Sequence, residues 1–145
     1  MSSDDNPLLF RHPSRRLPRA GLREFLEQIS KRILRRKSVT CLITDDREMR
    51  QLNRRFRHKD RPTDVLSFPS DQGGGELAIS LDRAVAQAAE YRHGVADEIR
   101  ILMLHGVLHL AGMDHESDAG EMERAEATWR RKLGLPGSLI ERTLA

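Results

Sequence analysis

The stretch from Asp97 to Gly112, DEIRILMLHGVLHLAG, is the most apolar segment of the chain, and it contains two histidines. Its length and spacing predict a helix ended by Gly112, with Ile99, Leu102, Met103, Gly106 and Leu110 largely on one side to bury it. His105 and His109 are four residues apart, so on a helix their side chains stack about one turn apart on a single face. The other elements must therefore supply cover for the apolar side of this helix.

Those elements alternate in type. GLREFLEQISKRILRR places Leu22, Phe25, Leu26, Ile29 and Ile33 at helical spacing and leaves Lys31, Arg32, Arg35 and Arg36 on the exposed face. SVTCLIT is β-branched and alternating, a strand with Val39, Cys41 and Ile43 on one face. Asp45 opens the next helix, with Glu48 three residues on as in a capping box, and Met49, Leu52 and Phe56 line its apolar side. Arg61-Pro62-Thr63 breaks that pattern. VLSFP reads as a strand ended by Pro69, and DQGGG as a turn into the partner strand ELAIS, which predicts a hairpin. LDRAVAQAAEYRHG is an alanine-rich helix stopped near Gly94, and a last helix runs from about Ser117 to Leu133, ended by Gly134 with Pro136 beyond. Residues 1–20 hold three prolines and one apolar run, Leu8 to Phe10, and form an N-terminal extension or an edge strand. Residues 21–145 form one domain. The expected fold is α/β (α+β), a mixed, mostly parallel sheet of about four strands packed with about five helices.

Composition excludes several classes. No apolar run approaches the roughly 20 residues that cross a bilayer, and the acidic start, MSSDDNPLLF, is no signal peptide. One cysteine, Cys41, excludes an internal disulfide framework and reads as a small core residue. A cytoplasmic protein without a membrane partner is expected, monomeric by default. The net charge of +3 conceals an asymmetry: residues 1–63 carry 17 Lys and Arg against 8 Asp and Glu, and residues 64–145 carry 8 against 14. A basic half joined to an acidic, histidine-bearing half suggests a polyanionic partner held near a metal; arginines that merely solvate helix faces would give the same counts.

A third histidine strengthens the metal reading. In HGVLHLAGMDH, residues 105–115, Gly112 can adopt a left-handed conformation and reverse the chain, folding His115 back toward His105 and His109. HxxxHxxGxxH is the spacing of the long metzincin zinc motif. Three neutral imidazoles with an open fourth position suit a catalytic zinc, and no cysteine lies nearby to close the site. One Zn2+ per chain is the expected cofactor. Metalloproteases carry a general-base glutamate directly after the first histidine. Here that position is Gly106, which argues against peptide hydrolysis by that route and lets another element or a substrate backbone approach the helix closely. Asp114 is either a carboxylate that orients a histidine or helps move a proton, or a simple turn former.

The second cluster is NRRFRHKDRPTDVLSFP, residues 53–69, where Arg54, Arg55, Arg57, Lys59 and Arg61 follow one another closely. Arginine can grip a phosphate with two donors at once, but cations at a helix C-terminus are also explained by the helix dipole. An aromatic content of 4% argues against a base-stacking platform and favours recognition of backbone and shape.

Taken together, NRRFRHKDRPTDVLSFP, GELAIS and HGVLHLAGMDH closely resemble the YbeY family of bacterial metal-dependent endoribonucleases. The family blocks read N-x-x-F-R-x-x-D-x-x-T-D-V-L-S-F-P, G-[DE]-I-x-I-S and H-G-x-L-H-L-x-G-[YF]-D-H. The resemblance runs from about Val39 to Leu135. It implies a single-strand-specific endoribonuclease acting in ribosomal RNA maturation and ribosome quality control, with single-stranded RNA, ribosomal RNA and the ribosome as partners. By motif position it makes His105, His109 and His115 the zinc ligands and Arg57 the arginine important for activity, a clamp on the scissile phosphate. Asp114 would assist, and Arg54, Arg55, Lys59 and Arg61 would bind RNA. Met113 departs from the family's aromatic at that position, and the proline-rich N-terminus does not show the family's first strand. Two other readings are a non-catalytic ribosome assembly factor with a structural zinc and a metal-dependent hydrolase of another substrate class.

Overall fold

The computed structural model describes residues 6–35, 37–59, 61, 63–114 and 116–136. In chain order its elements are β1 (Leu8–Phe10), α1 (Arg19–Ile33), β2 (Val39–Thr44), α2 (Asp46–Arg57), β3 (Val65–Pro69), β4 (Gly75–Ser80), α3 (Leu81–Tyr91), α4 (Val95–Leu110) and α5 (Glu121–Leu133). The sheet order is β1-β2-β4-β3. β2 pairs in parallel with β1, Leu8 opposite Cys41, and with β4, Ile43 opposite Ile79. Each parallel pair needs a long crossover, and helices α1 and α2 lie in those connections. β3 and β4 form the expected antiparallel hairpin, Pro69 opposite Gly75. Proline is tolerated there because β3 is an edge strand. The fold is therefore the single α/β domain with a mixed, mostly parallel four-stranded sheet that the alternation of elements implies. The run Leu8 to Phe10 forms an edge strand, the second of the two roles expected of residues 1–20.

Side-chain alternation sends the two sheet faces to different partners. Cys41, Ile43, Leu77 and Ile79 pack with α1 and α4 in the main core, while Leu66 and Ala78 pack with Met49, Leu52 and Phe68 on the α2 side. Helix α4 touches α1, α3, α5, β3 and β4. It buries the five positions expected and also Ile101, Leu104, Val107 and Leu108, so it is enclosed on nearly every side. A helix that is apolar all round is stable only in such a setting. Each fully buried Leu or Ile contributes about 1.5–3 kcal/mol. Gly106 permits a close approach: a Cβ there would lie 2.6 Å from Cδ2 of Leu77, a core residue of β4. A neighbouring element, β4, is what the missing side chain accommodates.

Three boundaries differ from expectation, each for a local reason. Helix α3 ends at Tyr91, stopped by the left-handed φ of 59° at Arg92, and Gly94 instead forms the N-cap of α4, which starts at Val95 rather than Asp97. Helix α5 begins at Glu121 and not at Ser117. The Asp118 carboxylate accepts from Gly120 N and Met122 N, and Gly120 has a φ of 94°, a turn that no helix can include. Helix α1 stops at Ile33, after which Arg35 has a φ of 52°. No helix of the described residues is long and apolar enough to cross a membrane.

Candidate functional site

The last two turns of α4 carry His105 and His109 to one end of the domain. His105 is buried, and its Nδ1 lies 3.0 Å from Oε2 of Glu126, a fully buried carboxylate on α5. With Nδ1 so engaged, Nε2 of His105 faces Nε2 of His109 at 3.2 Å, the two rings meeting edge to face. The spacing fits a shared metal: zinc–nitrogen bonds of about 2.0–2.1 Å at a tetrahedral angle place two ligand atoms about 3.3 Å apart. A carboxylate on the far nitrogen of a ligand histidine is also the usual outer partner, since it fixes the tautomer and raises basicity. The two residues and their buried glutamate thus fit a zinc ion. His115 lies outside the described residues, and among the described residues no three His, Cys, Asp or Glu side chains converge on one point. Gly112 has a φ of 94°, the left-handed turn expected of it.

A groove of about 590 Å³ opens over the histidine pair. His105, His109, Arg57, Lys59, Arg61 and Asp114 all line it, so chain segments some fifty positions apart meet around one space. Asp64 and Glu116 also line it, so its charge is mixed, with the cations at the C-terminal end of α2 and on the segment that follows it. Asp114 is a turn former as well: its carboxylate accepts from Glu116 N, and its carbonyl accepts from Ser117 N and Asp118 N. Arg54 and Arg55 do not line the groove. Arg54 borders a separate hollow on α2 with Arg47, Arg50 and Gln51, and the Arg55 guanidinium lies 5.2 Å from the centre of the Phe56 ring.

Two residues packed against the site were not expected from the sequence. Glu126 occupies the buried face of α5 four residues after Met122, and a charge inside an apolar stripe was the signal that could have found it. Asn53 is buried on α2, where its Nδ2 donates to the Arg61 carbonyl at 2.9 Å and its own carbonyl accepts from Lys59 N. It thereby ties the cationic segment to the helix end. The Ser67 hydroxyl, also in the groove, donates to the Gly106 carbonyl at 3.3 Å and joins β3 to α4.

The chain is similar to known proteins over most of its length. A family model described as Endoribonuclease YbeY matches residues 14–134. An Endoribonuclease YbeY from Solibacter usitatus (strain Ellin6076) is 51% identical over 142 residues, covering 97% of each chain. One from Koribacter versatilis (strain Ellin345) is 55% identical over 121 residues, covering 82% of this chain and 80% of that one. The solution structure of TM1509 from Thermotoga maritima superposes with a TM-score of 0.61 at 31% identity, over 84% of each chain. With matches of that extent, the chain belongs to the YbeY endoribonuclease family.

Proposed function

We propose that this protein is a zinc-dependent, single-strand-specific endoribonuclease that acts on ribosomal RNA during its maturation and in ribosome quality control, as a monomer in the cytoplasm. The observation that carries the reading is the meeting of the His105–His109 pair with Arg57, Lys59 and Arg61 in one groove. His105, His109 and His115 would hold one zinc ion, which when bound supplies Lewis-acid chemistry to water and to the phosphoryl group. Glu126 orients His105. The Arg57 guanidinium can take two phosphate oxygens at once and offset the charge that grows in a pentavalent transition state. Lys59 and Arg61, held by Asn53, grip neighbouring phosphates, and Arg54 and Arg55 extend the cationic surface along α2. The Asp114 carboxylate is an acid–base group at the groove wall. Gly106 leaves no general-base side chain where metalloproteases keep one, consistent with chemistry on a phosphodiester.

The test is cleavage of single- and double-stranded RNA by metal-quantified protein, comparing wild type with Arg57→Ala and His109→Ala. Single-stranded RNA should be cut. His109→Ala should lose zinc and activity together, and Arg57→Ala should keep its zinc and lose about 10²–10³ in rate, the usual cost of one transition-state donor. Unchanged cleavage in Arg57→Ala, with His109→Ala losing metal and stability, would instead favour an assembly factor with a structural zinc. Peptide cleavage by the metal-loaded protein would favour a hydrolase of another substrate class.

A further inference from the structure

Phe56 is 53% exposed although it closes the apolar face of α2 begun by Met49 and Leu52. Its ring meets Phe68 of β3 edge to face with centroids 5.4 Å apart, and the Arg55 guanidinium lies over it. Phe68 and Pro69 line a second groove, of about 690 Å³, together with Lys37 and Thr40. Pro69 also lines the groove over the histidines, and Arg57 of that groove is the next residue after Phe56. The two grooves therefore share a rim, with an exposed aromatic ring beside it, held by a second ring and flanked by a cation.

We propose that Phe56 is a positioning residue on which one base of a single-stranded RNA stacks where the strand leaves the histidine groove, an inference that rests on the endoribonuclease reading. A π-face is common to all bases, so such a ring fixes the strand without reading its sequence. An arginine plane beside it adds a cation–π contact. The low aromatic content of the chain excludes an array of stacked bases and not a single ring. A stacked base also gives a physical reason for single-strand preference, because a paired base keeps its faces within the duplex.

The experiment measures binding, which needs no cleavage. Fluorescence anisotropy is recorded for a labelled uridine octanucleotide and for the same chain with abasic sugars, using zinc-loaded wild type, Phe56→Ala and Phe56→Trp. Phe56→Ala should bind the base-bearing strand roughly tenfold more weakly, within the range that stacking one base confers, with little change for the abasic strand. Phe56→Trp should bind as well as wild type. Equal weakening of both strands, or of neither, would overturn the proposal. Unaltered RNA binding with loss of ribosome association in Phe56→Ala would also overturn it and assign the ring to a protein contact. Base-dependent binding without any cleavage would instead defeat the endoribonuclease reading and leave the stacking site standing.

Discussion

Helix α4 has a histidine–glutamate pair at each end, and the two pairs sit in different surroundings. At its N-terminal end, Nε2 of His93 meets Oε1 of Glu98 at 2.6 Å, with side-chain exposures of 10% and 0%. At its C-terminal end, Nδ1 of His105 meets Oε2 of Glu126 at 3.0 Å, with exposures of 8% and 0%. Burial and separation barely distinguish them. The difference lies in the ring nitrogen used and in what the other nitrogen faces. His93 gives Nε2 to a glutamate five residues away and pins the end of α3 to the first turns of α4. His105 gives Nδ1 to a distant helix and turns Nε2 toward His109 and the groove. A buried carboxylate–imidazole pair by itself therefore does not mark a site; what sets His105 apart is a second nitrogen that meets another imidazole beside a groove lined by Arg57, Lys59 and Arg61.

Substituting the two glutamates breaks or sustains that distinction with the largest expected effect. Glu126→Gln keeps the shape and removes the charge, and zinc affinity measured by competition with a chromogenic chelator should fall about 10–100-fold, the usual cost of an outer hydrogen-bonding partner. Glu98→Gln should leave zinc affinity at the wild-type value. It weakens a charge-assisted bond of about 1.5–3 kcal/mol, and thermal unfolding should report a Tm lower by about 3–10 °C. Equal loss of zinc affinity in both variants would show that the two pairs are not distinct in function.

Much of this was legible in the chain. Periodicity gave α4 and its histidine face, the glycine-rich turn gave the β3–β4 hairpin, and Asp45 marked the start of α2, where its carboxylate accepts from Glu48 N at 2.9 Å. Glu126 was passed over because EMERAEATWRRKL carries charges throughout, although it falls on the helical stripe of Met122, Ala125, Trp129 and Leu133. The start of α5 was missed because Asp118 satisfies backbone N–H groups just before the helix, while a serine at 117 looks like a cap in sequence. Arg54 and Arg55 belong to the same cationic run as Arg57, yet the turn of the helix sends them away from the groove. Proximity in sequence predicted one cluster, and helical geometry divided it.

The middle of α4 sharpens the comparison between its ends. Gly106 directly follows His105, so loss of function on changing it could be mistaken for lost chemistry. The structure gives a packing reason: any Cβ at this position would come within 2.6 Å of the buried Leu77 side chain. Gly106→Ala should destabilise the fold by about 1–3 kcal/mol, the usual cost of overpacking a filled core, read as a lower denaturant midpoint. The double variant Gly106→Ala with Leu77→Ala should recover part of that loss relative to Leu77→Ala alone. Destabilisation that is simply additive would mean that the two positions are not in conflict.

The smallest effect concerns a titratable group in the core, away from both ends of α4. Cys41 is fully buried on β2, and burial pushes its thiol well above the ordinary value of 9.0. The folded chain therefore keeps the proton at pH values where the unfolded chain releases it. A raised pKa in the folded state contributes stability below the unfolded value, and that contribution declines as pH rises past it. Above about pH 9 the thiol alone should lower unfolding free energy by at most about 1.4 kcal/mol per pH unit. The measurement is the difference in this slope between wild type and Cys41→Ala, since lysines and tyrosine titrate in both. The native thiol should also resist a thiol reagent at neutral pH until denaturant is added, because only the thiolate reacts. Matching slopes together with rapid labelling of the native protein would place Cys41 outside the packed core and remove the contrast with the histidines, whose polar partners make burial tolerable.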